Sequence, residues 1–116
     1  MENQGMELER MTRKKKKQKP RIKYNTEIQY YRGIPFRLIE YTQKHFDRLR
    51  AKRFLLNPDV ETEYRTQNFW IPNCYLEEDG TLKSNVFVDW IFVRCVKENK
   101  FRYAGLEIPD WMRGKL

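Results

Sequence analysis

Nine of the fourteen residues from Arg10 to Lys23 are lysine or arginine, and none is acidic. Such a run cannot enter a hydrophobic core. Adjacent ammonium groups repel, the apolar side chains are too few to offset the ordering of the backbone, and Pro20 removes a helical donor. Residues 1–23 are therefore expected to form a disordered basic arm, which confines whatever folds to 24–116. The aromatic residues agree with that boundary, since all seven Phe, seven Tyr and three Trp lie at or beyond Tyr24.

The arm holds +6 of the formal net charge of +8. A lysine or arginine set on a phosphate releases condensed counterions, a gain that needs no folded geometry, so a concentrated basic arm is a footprint of nucleic-acid binding. Arg13, Lys14, Lys15, Lys16, Lys17, Lys19, Arg21 and Lys23 are the expected phosphate contacts. Solubility, a localisation signal or attraction to an acidic membrane surface would account for the same run more blandly.

Residues 24–116 suffice for one domain with one modest core. No run of eighteen apolar residues is present and no apolar stretch follows the N-terminal charges, so neither a membrane span nor a secretory signal is expected, and the location expected is intracellular, in the cytoplasm. Cys74 and Cys95 lack a CxxC partner, and His45 is the sole histidine. A zinc site needs four ligands at recognisable spacing, so no metal or cofactor is expected and both cysteines are read as reduced and mostly buried.

Along the chain, Tyr24 to Tyr30 alternate in the manner of a half-buried strand, Arg32-Gly33 offers a turn, and Ile34, Phe36 and Leu38 continue a second strand with Pro35 suggesting a sheet edge. From Thr42 to Leu56 the period changes. Phe46, Leu49, Arg53 and Leu56 recur at three or four residues, which predicts one helix capped by Thr42 and stopped by Asn57-Pro58. Phe69–Leu76 reads as an aromatic strand and Glu77–Gly80 as a turn. Val86–Val96, β-branched and aromatic on both faces, is predicted as a buried strand with Trp90 in the core, because a helix would draw Asp89 and Arg94 into the apolar stripe. Phe101–Ala104 completes five strands, and 105–116 is expected to be an irregular tail pinned by Ile108 and Trp111. The expected fold is α+β: a small, strongly curved or barrel-like, mainly antiparallel sheet with one helix.

Residues 37–53 carry net +4 and residues 54–92 net −5. On the predicted helix Lys44, Arg48 and Lys52 form a ladder that would track phosphates, joined by Arg32 and Arg37; an ordinary solvated helix face explains the ladder equally well. Tyr30, Tyr31, Tyr41 and Tyr64 are candidates for stacking on unpaired bases, although burial with a wet hydroxyl is the commoner fate of tyrosine.

These features point to a non-catalytic nucleic-acid-binding protein, with RNA or single strands favoured over duplex, serving as a regulatory or accessory factor. A structural protein of a ribosomal, virion or mobile-element assembly, whose acidic part meets another protein, shares every feature. An enzyme is the alternative of a different class. In size, charge and strand-rich pattern, though in no motif, the chain resembles the small basic ribonuclease toxins of the RelE type, which implies metal-free RNA cleavage with His45 and neighbouring Arg and Tyr residues as the groups to examine.

Overall fold

The computed structural model describes residues 22–40, 42, 49–60 and 67–116. Four strands form one antiparallel sheet in the order β1 (Gln29–Tyr31), β2 (Ile34–Leu38), β3 (Ala51–Leu56) and β4 (Asn68–Pro72). A 3₁₀ turn, Asn73–Tyr75, follows β4. Three helices close the chain: α1 (Asp89–Lys97), and the single turns α2 (Lys100–Tyr103) and α3 (Asp110–Arg113). The fold is α+β as expected, but the described sheet has four strands rather than five and stays open, with β1 and β4 as its edges.

The first hairpin forms where the sequence places it. Arg32 and Gly33 both take positive φ, 48° and 88°, which a two-residue turn matched to the twist of the flanking strands requires. The register pairs Tyr31 with Ile34 and Tyr30 with Pro35. Pro35 does not mark an edge: β2 is an interior strand, and its pairing with β3 begins at Phe36–Leu56. The missing amide hydrogen falls at the end of that ladder, where the chain turns away at Asn57 (φ 49°), whose own N–H donates to the Pro35 carbonyl at 2.9 Å. The predicted strand from Tyr24 shrinks to three residues. Tyr24–Ile28 is instead held to the turn at 77–82, with Asn25 N donating to the Asp79 carbonyl at 2.8 Å and the Gln29 side chain bonding both the Gly80 carbonyl and the Leu82 N–H.

Two further segments differ from expectation. The helix predicted over Thr42–Leu56 gives way to β3 from Ala51, while 43–48 lie outside the described residues. Spacing of three or four between Leu49, Arg53 and Leu56 imitates a helix, but Phe54 and Leu56 alternate with Arg53 and Leu55 across a strand. The predicted strand Val86–Val96 is helical from Asp89. Val88, Ile91, Phe92 and Cys95, at i, i+3, i+4 and i+7, are the buried stripe of an amphipathic helix. Phe101 likewise sits on a helical turn. The C-terminal tail is pinned by the buried Met112 on α3, with Trp111 packed edge-on to Tyr31 at 6.2 Å.

Between the sheet and α1 lies an aromatic core of Tyr31, Phe36, Phe54, Phe69 and Phe92, with ring centroids 5.0 to 6.0 Å apart. Tilted and edge-to-face contacts dominate, as ring quadrupoles favour, and truncation of a fully buried ring such as Phe36 costs about 3 to 5 kcal/mol.

Candidate functional site

The start of α1 is organised around Asp89, a carboxylate only 2% exposed. Its Oδ1 accepts a 2.5 Å hydrogen bond from the Tyr31 hydroxyl, and its Oδ2 accepts from Arg32 Nη1 at 2.8 Å and Lys115 Nζ at 2.5 Å. The Tyr31 oxygen in turn accepts from the Val88 N–H at 3.1 Å. Burial pushes the Asp89 carboxyl up, but the bonds from Lys115, Tyr31 and Arg32 outweigh it and hold the group below the ordinary carboxylate range. Burial, followed by the bond to Asp89, raises the Tyr31 phenol. The acid is thus turned inward and neutralised.

What α1 turns outward is aromatic and basic. Trp90, Arg94 and Lys97, at i, i+4 and i+7, share one exposed face. Trp90 is 46% exposed and Phe87, one turn before, 69%. The expectation of Trp90 as a core residue is therefore wrong: the wheel that buries Phe92 and Cys95 turns Trp90 to solvent. Arg94 lies 5.8 Å from the Trp90 ring, Lys115 5.0 Å from the Phe87 ring, and Arg32 stacks over Trp111 at 4.1 Å. Cations over rings of this kind gain about 0.5 to 1 kcal/mol at exposed sites.

Two concavities flank this face. The larger, about 500 Å³, lies between Phe87, Val93, Lys97 and Lys115. The smaller, about 280 Å³, lies between α1 and the edge strand β4, with Trp70, Pro72 and Cys95 among its walls. Trp90 and Arg94 line both and form the ridge between them. Trp70 is 45% exposed, so a second indole borders the smaller hollow.

The residues singled out by sequence are distributed otherwise. Arg13 through Arg21, Tyr41, Lys44, His45, Arg48 and Tyr64 lie outside the described residues. Lys23 is exposed. Arg37 lies in β2, opposite Leu55. Arg32 is tied to Asp89 and Trp111, beside the α1 face. Lys52 does not extend a helical ladder: it sits on the core side of β3, 8% exposed, with its ammonium donating to Asn73 Oδ1 at 3.0 Å, and burial lowers its pKa. Tyr30 is exposed, whereas Tyr31 is in the core. Cys95 is buried, and burial pushes its thiol up to about 12. Cys74, expected inside, is exposed on the 3₁₀ turn.

Sequence reasoning missed Phe87, Trp90, Arg94, Lys97 and Lys115. The signal was present as aromatic and basic residues alternating at helical spacing through Phe87–Lys97, and it was hidden by reading the segment as a strand. Among the described residues no cluster of three or more His, Cys, Asp or Glu is arranged to hold a metal ion, and no helix is long and apolar enough to cross a membrane. No family model matches the chain, and neither a curated protein nor a solved structure is significantly similar to it.

Proposed function

We propose that the protein binds single-stranded nucleic acid, RNA in preference to duplex DNA, without cleaving it, and acts as a regulatory or accessory factor. The observation that carries the reading is the outward face of α1, where exposed Phe87 and Trp90 are interleaved with Arg94, Lys97 and Lys115, while Asp89 at the helix start is buried and paired and Glu98 at its end stands 4.0 Å from Lys100. Unpaired bases stack on aromatic rings, at about 1 to 3 kcal/mol per base, and cations along the same groove follow the phosphates. Duplex DNA offers no base faces to such rings. The basic run Arg10–Lys23 adds phosphate contacts that depend on charge alone. The assembly-component reading uses the same face on the same polymer, with a protein bound elsewhere.

The test is binding of the full chain to single-stranded RNA, single-stranded DNA and duplex DNA over a range of salt. Each phosphate contact on a single strand contributes about −0.7 to the slope of log affinity against log salt. Neutralising Lys14, Lys15, Lys16 and Lys17 together with Gln should flatten the slope by about 3, and Arg94→Gln with Lys97→Gln by about 1.4. Equal affinity for all three polymers with slopes untouched by either set, or cleavage of the RNA, would overturn the reading.

A further inference from the structure

Trp90 and Arg94 stand on the crest of α1 with a hollow on each side, and this division has a counterpart in the chemistry of a single strand. On one side Phe87 and the Trp90 indole provide apolar walls, with Lys97 and Lys115 at the margin. On the other, Trp70 and Trp90 provide the walls. The cations available to the two hollows are unequal. Lys100, bordering the smaller one, has its ammonium on the Asn68 carbonyl and 4.0 Å from Glu98. Lys115 is bound to Asp89. Arg94, exposed and resting 5.8 Å from the Trp90 ring, meets no carboxylate among the described residues and borders both hollows.

Resting on the reading above, we propose that this crest seats two consecutive nucleotides of one strand: one base in each hollow, the Trp90 indole between them, and the Arg94 guanidinium on the phosphate that joins them. The volumes agree with one nucleotide unit on each side. About 500 Å³ lies within the usual range of ligand pockets, ~300–1,000 Å³, and about 280 Å³ at its lower edge, open enough for a base and small for more. The occupant is fixed by charge and shape together. An acidic peptide would satisfy Arg94 but has no flat apolar group at regular spacing to fill both hollows, whereas a nucleic acid strand supplies a ring on either side of every internal phosphate. Arg94 is the group suited to that phosphate, since its planar fork makes two parallel bonds to phosphate oxygens and its face stacks on the indole.

The experiment compares adenosine, the dinucleotide ApA and the ten-nucleotide RNA A10 as probes of the full chain, followed by nuclear magnetic resonance titration of the three indole N–H signals. ApA should bind at least tenfold more tightly than adenosine. Trp90→Ala should erase that ratio, and Trp90→Phe should keep most of it because a ring remains between the bases. Arg94→Gln should weaken ApA five- to tenfold more than it weakens adenosine, since only ApA carries the joining phosphate. Melting temperatures within a few degrees of wild type establish that these exposed substitutions keep the fold. Binding of A10 with equal affinities for adenosine and ApA, or with a ratio indifferent to Trp90→Ala, would overturn the two-base crest and leave single-strand binding standing. Failure of A10 itself to bind at low salt would overturn both.

Discussion

Tyr31 and Asp89, separated by 58 positions in sequence, share a 2.5 Å hydrogen bond that joins the first hairpin to the first turn of α1. The phenol donates to the carboxylate and accepts from the Val88 N–H, so one side chain satisfies both the buried charge and an amide at the helix start, where such amides lack partners within the helix. With Arg32 from the turn and Lys115 from the C-terminus on the other oxygen, the bond draws three separate parts of the chain to one point.

Replacing Asp89 with Asn should therefore lower stability. Bonds to charged groups contribute about 1.5 to 3 kcal/mol each, and Arg32 and Lys115, both partly exposed, can turn to water, so a loss of about 2 to 3 kcal/mol and a fall in Tm of 10 °C or more are expected. The pH dependence has a definite sign. A carboxyl held below its unfolded value stabilises fully above ~3.9, and that contribution disappears as pH falls through the lower folded value. The gap in Tm between wild type and D89N should consequently be widest at pH 5 to 7 and close below pH 4. Asp79, lowered chiefly by hydrogen bonds from Thr81, leaves a residual acid dependence in the variant. A gap constant from pH 7 to pH 2 in thermal melts would contradict the assignment.

At Gly80 the backbone disfavours a side chain, and a Cβ would also crowd Leu38. Its φ is +91°, and a Cβ placed there would stand 2.9 Å from Leu38 Cδ2 in β2. Gly80→Ala should destabilise by more than 1 kcal/mol, measured by urea unfolding, whereas Gly114→Ala, which meets nothing within 4 Å, should change little.

The two thiols should separate in reactivity. Cys74 is exposed, while Cys95 is buried with its thiol pushed up to about 12, so an aromatic disulfide reagent at pH 8 should titrate one equivalent quickly in the native protein and the second only on unfolding. Cys74→Ser should abolish the fast equivalent. Two fast equivalents would place Cys95 outside the core.

Asn68 opens β4 as a buried side chain whose amide nitrogen and oxygen meet no partner among the described residues. Leaving such a group unsatisfied costs about 1 to 3 kcal/mol. Asn68→Val, which suits a strand, should raise stability by about 1 kcal/mol in chemical denaturation; a decrease would mean that the amide has a partner in the native protein.

The parts of the fold that were readable before the structure are those decided by neighbours in sequence. Arg32-Gly33 and Glu77–Gly80 announce turns because positive φ is a local demand, and Phe69–Leu76 announces a strand by its aromatic run, although the strand ends at Pro72 and Asn73–Tyr75 form a 3₁₀ turn. What misled was charge compensated from afar. Asp89 argued against a helix because a carboxylate in an apolar stripe seemed uncompensated, yet its partners come from Tyr31, Arg32 and Lys115. Lys52 argued for a solvated helix face, yet Asn73 and burial against the core hold it in β3. Aromatic rings among cations were expected at Tyr30, Tyr31 and Tyr41 with Arg32 and Arg37, whereas the face of α1 depends on the helical period of Phe87–Lys97 and was missed with that one assignment.

The anchoring of Asn25 to the Asp79 carbonyl gives the preceding basic segment a fixed origin. Whatever its conformation, covalent geometry limits the fourteen residues Arg10–Lys23 to a reach of about 50 Å from that point. On the function proposed above, a strand long enough to meet both that segment and the crest of α1 would bind bivalently, its second contact governed by an effective concentration set by the length between origin and crest rather than by the strand's concentration in solution. Short oligonucleotides, able to occupy only one of the two, lose that advantage, so affinity should rise with strand length in a step rather than in proportion to the number of phosphates.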